Sequence, residues 1–181
     1  MEDNEFNLVK SEIEKRMNNQ IKGIKKLYQT TKYDGEPKIF HEKCDNISNT
    51  LILYKSAGNK RFGGFASQQW NKNNEIYTDK NCFLFSLNKK KIYPPKLENY
   101  YKLSCFPYEG PGFSIGGKMV IVSFKTNENK KVLRTNENNH PLKKLLFDGD
   151  NIFSEEGIWR DVELKEYEVF EIKFWNAFKF V

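Results

Sequence analysis

The chain has 181 residues, enough for one domain and too few for two of ordinary size. It carries 30 Lys and Arg against 24 Asp and Glu, which gives a formal net charge of +6 at pH 7. The 15 Phe, 9 Tyr and 3 Trp side chains exclude an intrinsically disordered chain, because large aromatic groups bury enough surface to offset the entropy lost on ordering. One hydrophobic core is expected.

The positive charge does not by itself indicate nucleic acid. Only 4 of the 30 cationic residues are Arg, whereas bidentate recognition of phosphate and guanine favours Arg over Lys. Nucleic-acid binding is therefore disfavoured. The charge is also uneven, because nine acidic residues lie between Asp148 and Glu171 with only Arg160 and Lys165 against them. We expect two faces of opposite charge.

The cysteines and the N-terminus indicate the compartment. Cys44, Cys82 and Cys105 are an odd number at irregular spacing, and the first residues, Met-Glu-Asp, do not resemble a signal peptide. No apolar run approaches the roughly 18 residues that a membrane span needs. We expect a reducing, cytoplasmic location without membrane insertion. This expectation covers a position on a cytoskeletal or ciliary structure and one at the periphery of an organelle membrane.

An apolar stripe marks the start of the chain. Its members recur at spacings of three or four and are Phe6, Val9, Ile13, Met17, Ile21, Ile24 and Leu27. This spacing predicts an amphipathic helix over residues 1–26, with a capping box at Ser11 to Glu14. The helix either packs on its own domain or binds a partner.

After this segment the pattern changes to short strands. Pro37 predicts the first position of a short helix whose buried side holds Ile39, Phe40 and Cys44. Alternating and apolar runs then predict strands over residues 50–55, 61–66, 82–87, 100–103, 120–124 and 167–174. Helices in the first quarter followed by many strands favour an α+β domain built on an antiparallel sandwich.

Three segments are predicted to be irregular or terminal. Pro and Gly predict a turn over residues 107–112. Residues 125–140 contain Thr-Asn-Glu-Asn twice and predict a solvated, Asn-rich insertion loop. The domain proper is expected over residues 27–174, with an aromatic C-terminal tail over residues 175–181.

Two glycine-containing motifs superficially resemble ligand-binding signatures. Residues 112–119 come within one residue of a phosphate-binding P-loop, but Met119 stands where Ser or Thr would hold magnesium, and Val120 continues as strand. Residues 61–66 resemble an RNA-binding strand with its residues in the wrong order. Close backbone packing explains these glycines better.

The residues that could support catalysis or bind a metal do not form a convincing set. His41 and Cys44 are three apart on one helix, but Cys82 and Cys105 supply no second close pair, which disfavours zinc. Thiol catalysis would need His140, or His41, which is expected to face solvent. A calcium ion could be held by an acidic cluster that consists of Asp148, Asp150, Glu155 and Glu156. Ile152 breaks the EF-hand pattern, which disfavours this interpretation. No catalytic, cofactor or metal residue is predicted.

A series of short segments runs in a recognisable order from Leu27 to Ile172. They are Leu27-Tyr28, Tyr33-Asp34-Gly35, Phe40 to Asp45, Asn49-Thr50-Leu51, Phe62 to Phe65 with Trp70, Asn81 to Leu87, Gly110 to Phe113 with Gly116-Gly117, and Glu166 to Ile172. Together they resemble the TLDc family. The chain differs in having Cys82 where the family usually has Ala, and Lys118-Met119 where it commonly has His-Asp.

The resemblance implies a two-sheet antiparallel β-sandwich flanked by helices, without catalytic residues or cofactor. It also implies roles in resistance to oxidative damage and in binding the vacuolar proton-pumping ATPase. The residues that match the family's motifs are expected to build the fold; they are Phe40, Cys44, Asp45, Gly63, Gly64, Trp70, Phe83, Phe85, Gly110, Gly112, Gly116, Gly117, Glu168 and Phe170.

We therefore expect a non-catalytic module that docks on a large protein assembly, with no small-molecule substrate. The apolar residues near the C-terminus, Phe174, Trp175, Phe178 and Phe180, are the candidate docking residues. One alternative is a small structural subunit of a microtubule or ciliary assembly that contacts tubulin or axonemal proteins, which the positive charge would suit. Another is a thiol-dependent antioxidant enzyme that uses Cys44, Cys82 or Cys105.

Overall fold

Antiparallel strands make up most of the described structure, and its helices lie near the start of the chain. The computed structural model describes residues 3–33, 35–70, 76–94, 101–104, 109–115, 118–125, 130–135 and 160–175. The helices are α1 (Asp3–Met17), α2 (Thr30–Tyr33) and α3 (Pro37–Cys44). The strands are β1 (Ile21–Gln29), β2 (Thr50–Ser56), β3 (Arg61–Ala66), β4 (Ile76–Asp79), β5 (Phe83–Ser86), β6 (Lys91–Tyr93), β7 (Tyr101–Ser104), β8 (Glu109–Ile115), β9 (Lys118–Lys125), β10 (Lys130–Thr135) and β11 (Arg160–Phe174).

The long strand β11 connects the whole array. The order is β4-β7-β8-β9-β10-β11-β2-β3-β5-β6, and β1 also pairs with β11. The first residues of β11 pair with β10, the middle ones with β2 and the last ones with β1, each time antiparallel. This confirms the predicted α+β class with a mainly antiparallel sheet. The division into two packed sheets stays a prediction.

Two core clusters lie on opposite faces of β2 and β11. The first core cluster includes Tyr28, Phe40, Trp70, Phe113 and Tyr167. The second core cluster is covered by α1; it includes Val9, Ile13, Leu51, Phe65, Phe83, Phe85 and Ile172. Successive residues of a strand point to opposite faces, so a strand that contributes to both clusters must be apolar along its whole length. This explains the near-continuous apolar run in β2.

The predicted N-terminal helix is correct only as far as Met17. Asn18 adopts a left-handed backbone conformation with φ 47°, which is typical of the residue that ends a helix. Residues 21–29 instead form β1, which pairs with β11 from Ile21 to Gln29. The predicted cap is also wrong, because Ser11 lies inside α1 and its Oγ donates to the carbonyl oxygen of Asn7 at 3.0 Å. Val9 and Ile13 are fully buried, so α1 packs on its own domain.

Two segments predicted to be irregular contain strands. The predicted turn at residues 107–112 overlaps β8, in which Pro111 falls at a register shift between Glu109 and Gly112; such irregularities tolerate the missing N–H of proline. The predicted Asn-rich loop contains β10, which pairs with both β9 and β11. The first repeated tetrapeptide precedes this strand, and the second begins at its last residue, Thr135. Strand β4 was not predicted at all.

The hairpin of β2 and β3 is confirmed, and its glycines have a steric role. A Cβ atom at Gly63 would lie 2.6 Å from the Phe85 ring and closer still to the Ile52 carbonyl oxygen. One at Gly64 would lie 2.5 Å from the Phe113 ring of β8. Both distances are shorter than van der Waals contact. The close-packing explanation for this motif is therefore confirmed.

Candidate interaction surface

His41 is buried at the end of α3 and is paired with the partly buried Asp45. Its Nδ1 lies 2.9 Å from Asp45 Oδ1, one helical turn on, and the residue is only 6% exposed. The expectation that His41 faces solvent is therefore wrong, because the Asp45 contact and the Phe40 ring at 5.3 Å hold it inside. Next to the pair, the N–H of Asn46 donates to the carbonyl oxygen of Trp70 at 2.8 Å. This pair fixes the end of α3.

The two described cysteines are buried thiols. Burial raises the pKa of Cys44, and the Asp45 carboxylate adds to this while Lys43 opposes it. Burial likewise raises the pKa of Cys82 well above its ordinary value, with Asp79 adding and Arg16 opposing. A thiol that stays protonated at neutral pH is a poor nucleophile. Cys105 and His140 lie outside the described residues.

Asp79 is a buried carboxylate that the sequence analysis missed. Oδ1 accepts from Ser67 Oγ at 2.6 Å and from the N–H groups of Asn81 at 2.9 Å and Cys82 at 3.1 Å. Oδ2 accepts from the N–H groups of Ser67 at 2.6 Å and Gln68 at 3.1 Å. Asp79 thus joins the ends of β3 and β4 to the start of β5. The sequence signal was an Asp two residues before a loop Asn, as in an Asx turn.

Neither a metal site nor a membrane-spanning helix is found in the part of the chain that the structure describes. No group of three or more His, Cys, Asp or Glu in those residues is placed to hold an ion. The acidic calcium candidates at positions 148, 150, 155 and 156 fall outside it. Among the described helices, none has the length and apolarity needed to cross a membrane.

The described family-motif residues mostly build the core. Phe40, Cys44, Phe83 and Phe85 are fully buried, and so is Trp70, whose Nε1 donates to Thr50 Oγ1 at 2.7 Å. Gly110 and Gly112 are buried on β8. Glu168 and Phe170 are half-buried on β11, where Lys26 pairs with the carboxylate and lies 5.6 Å from the ring. Gly116 and Gly117 lie outside the described residues.

Trp175 is different, because it is large, apolar and exposed. In the described part of the chain the exposed large hydrophobic residues are Trp175, at 55%, and Ile24, at 39%. The N–H of Trp175 donates to the carbonyl oxygen of Gln20 at 3.1 Å, and its own carbonyl oxygen accepts from Asn19 Nδ2 at 3.1 Å. Lys22 Nζ lies 5.2 Å from the indole ring. The backbone of Trp175 is therefore held while its ring faces solvent.

The indole forms part of an open groove of about 980 Å³, which we call the Trp175 groove. Residues 171–175 lie between Lys22 and Gly23 of β1 and the loop of residues 46–49. Asn49 connects the two segments, since its carbonyl oxygen accepts from the N–H of Ile172 at 2.8 Å. Asn49 also has a left-handed backbone with φ 56°, and its Oδ1 is buried without a hydrogen-bond partner.

The comparison with protein families now decides the identity of the fold. The model of the TLDc domain matches residues 1–173. The chain belongs to the TLDc family. No curated protein matches the chain at a significant level. The match includes α1, which covers the second core cluster, and it stops before Trp175. The TLDc scaffold therefore carries the groove, while Trp175 lies beyond the matched residues.

The sequence predicted Trp175 as a docking residue but did not predict its surroundings. The structure brings it next to Lys22 and the loop of residues 46–49, whereas Phe174 is half-buried against the second core cluster. Phe178 and Phe180 lie outside the described residues. No local pattern connects Asn49 with Trp175. The only hint in the sequence is the Asn-rich segment 46–49, since Asn tolerates left-handed backbone.

Proposed function

We propose that this TLDc chain is a non-catalytic protein-interaction module that docks on a large protein assembly. The observation that carries the proposal is Trp175, a residue that is 55% exposed and whose backbone is held by two hydrogen bonds. A rigidly held, exposed Trp loses little entropy when it is buried and is enriched among the residues that dominate binding energy. Its place at the end of β11 makes it the anchor of the module.

The polar groups of the described core support a structural rather than a catalytic role. Asp79 accepts five hydrogen bonds and is fully buried. His41 is paired with Asp45, and the raised pKa values of Cys44 and Cys82 keep both thiols protonated at neutral pH. Asp79 and the His41–Asp45 pair hold parts of the fold together, and none of the four groups combines a reactive state with access to a substrate.

For the assembly we propose the vacuolar proton-pumping ATPase, with a role in oxidative-stress resistance. This step rests on membership of the TLDc family. A second candidate, the acidic wall of a microtubule or a ciliary structure, is favoured by the net charge of +6 and by exposed lysines such as Lys22 and Lys25. Both candidates are protein assemblies, so one capture experiment separates them.

The experiment is affinity purification of the tagged full chain from its native cell, followed by mass spectrometry. We expect peripheral ATPase subunits, and we expect Trp175→Ala to reduce their recovery several-fold without lowering the melting temperature. Ile24→Ala is the matched control, because it removes the other exposed hydrophobic side chain. Recovery of tubulin would instead favour the second candidate. Recovery of no protein beyond that of the tag alone would refute docking.

The non-catalytic part of the proposal has its own test. Replacing Cys44, Cys82 and Cys105 together with Ser should leave peroxide protection in cells unchanged, once expression level is matched. If protection disappears while the variant remains folded by circular dichroism, a thiol mechanism replaces the docking module.

A further inference from the structure

The last residues of β11 continue a sheet face that the core leaves uncovered. Tyr167 and Val169 are buried in the first core cluster. The next residues on the same face, by the alternation of a strand, are Glu171, Lys173 and then Trp175, and none of these is buried. This uncovered face forms the floor of the Trp175 groove.

We propose that the Trp175 groove binds an extended acidic peptide segment of a partner protein. The inference rests on the proposed docking function and names the surface and the chemistry of the partner. In this arrangement an apolar side chain of the peptide packs on the indole, and its carboxylates lie near the lysines around the groove.

The charge around the groove favours an acidic occupant. Lys22 and Lys173 line it, and both are exposed. Lys25, also exposed, lies directly opposite Glu171 across the β1–β11 pair. Glu171 is the carboxylate of the lining and lies 3.9 Å from Lys173 Nζ. These three ammonium groups outnumber the single carboxylate, so a peptide carrying Asp or Glu is attracted and one carrying Lys is repelled.

The shape of the groove favours an extended peptide. A Cβ at Gly23 would have no atom within 4 Å, so β1 leaves open space beside Lys173, its pairing partner. The floor beside this space is the extended strand β11, whose alternate side chains Lys173 and Trp175 are both exposed. An extended peptide presents alternate side chains on one side at the same spacing, so it can place an apolar residue on the indole and a carboxylate near Lys173.

The test uses the full chain and a fluorescein-labelled synthetic peptide in which Glu and Leu alternate. Fluorescence anisotropy should show binding that weakens as salt is added. Trp175→Ala should weaken it about tenfold, as expected for a central aromatic anchor. Gly23→Leu should have a similar effect, because its Cβ has no protein atom within 4 Å and the added side chain occupies space beside Lys173.

Two matched controls separate the groove from general effects. Gly58→Leu also adds a side chain at an exposed glycine, with only Ser56 Oγ within 4 Å, but in the β2–β3 turn. Ile24→Ala removes an exposed apolar side chain on the opposite face, since Ile24 pairs with Ile172 of the second core cluster. Both variants should bind the peptide like the unmodified chain, and all four should keep its melting temperature.

Several outcomes would overturn the proposal. One is unchanged peptide binding by both groove variants; another is equal or tighter binding of the peptide with Lys in place of Glu. Competition by oligothymidine would indicate a nucleic-acid surface. Binding that appears only after deletion of residues 176–181 would indicate that the chain's own C-terminus is the occupant. The affinity purification separates this proposal from the docking function. If the unmodified chain and Gly23→Leu capture an assembly equally, the groove is not the binding surface but the docking function stands. If neither captures an assembly, the docking function fails.

Discussion

Asp79 gives the sharpest test of how the fold is held together. Its carboxylate accepts five hydrogen bonds and is fully buried. The change Asp79→Asn preserves the shape but replaces one oxygen with an amide NH2 group, which donates and cannot accept. If the NH2 group takes the Oδ2 position, the N–H groups of Ser67 and Gln68 lose their acceptor; at Oδ1, those of Asn81 and Cys82 lose theirs.

The magnitude follows from the burial of these donors. In either orientation one of the two abandoned N–H groups is buried, at Ser67 or Cys82, and the other is only partly buried, at Gln68 or Asn81. A buried unsatisfied donor costs about 1–3 kcal/mol, and hydrogen bonds to a charged acceptor are stronger than neutral ones. We expect a loss of about 3 kcal/mol in the free energy of unfolding and, for a chain of this size, a melting temperature lower by about 10 °C.

Urea unfolding followed by far-UV circular dichroism measures this loss. The midpoint should fall while the slope with denaturant stays constant, because the same surface is exposed on unfolding. Glu42→Gln is the control, since it makes the same chemical change on an exposed residue of α3 and should alter stability by less than about 0.5 kcal/mol. A loss below about 1 kcal/mol for Asp79→Asn would show that the described hydrogen bonds do not support the β3–β4–β5 junction.

Two further predictions concern the buried packing and the thiols. Gly64→Ala should destabilise the chain by about 2 kcal/mol, because its Cβ would lie 2.5 Å from the Phe113 ring; Gly58→Ala, with only Ser56 Oγ at 3.8 Å, should be nearly neutral in the same unfolding assay. Stability should also fall as pH rises above 9, because the folded pKa values of Cys44 and Cys82 are raised above their ordinary value of 9.0. The unfolded thiols then lose protons that the folded ones keep, which costs up to about 1.4 kcal/mol per thiol and pH unit.

The alkaline effect can be assigned by substitution. The buried thiols contribute fully to the free energy of unfolding below pH 9. Between pH 9 and 10 this contribution is lost, and Cys44→Ala should reduce the loss by about half. Burial also raises the pKa of Tyr167 above its ordinary value of 10.0, and the Tyr28 hydroxyl adds to this. Its ionisation in the unfolded chain therefore lowers stability in the same direction above pH 10, so the measurement stops at pH 10. A stability that stays level from pH 8 to 10 would contradict the buried, protonated state of the thiols. For Gly64→Ala, the contradicting outcome is a loss no larger than that of Gly58→Ala.

Local patterns predicted the elements whose structure is decided locally. Pro37 and the apolar residues after it predicted α3, and the alternation around a Gly-Asn turn predicted the β2–β3 hairpin; both are confirmed. In these cases the turn and the buried face are set by residues close in sequence. The TLDc resemblance then supplied the fold class, because its short segments keep their order even where each one is weak.

The elements that were missed depend on distant partners. Strand β1 continues the apolar spacing of α1, so periodicity alone could not distinguish helix from strand. Its conformation is decided by β11, more than a hundred residues later. In the same way β10 is made a strand by β9 and β11 on its two sides. The burial of His41 was missed because a His on a short helix usually faces solvent; here Asp45, one turn on, provides an internal partner.

The position of the groove follows from the length of β11. This strand has 15 residues, and the two core clusters account for one face each up to Val169 and Ile172. Beyond that point α1 and the second cluster still support one face through Ile172 and Phe174, while Lys173 and Trp175 on the other face are exposed. Because the core supports β11 on one face, the strand keeps its geometry when no partner protein is bound. Its exposed face is therefore already ordered before a partner binds. Such pre-organisation reduces the entropy cost of association. A TLDc scaffold can therefore present a residue beyond its matched range, such as Trp175, at this end of β11 without changing the core beneath it.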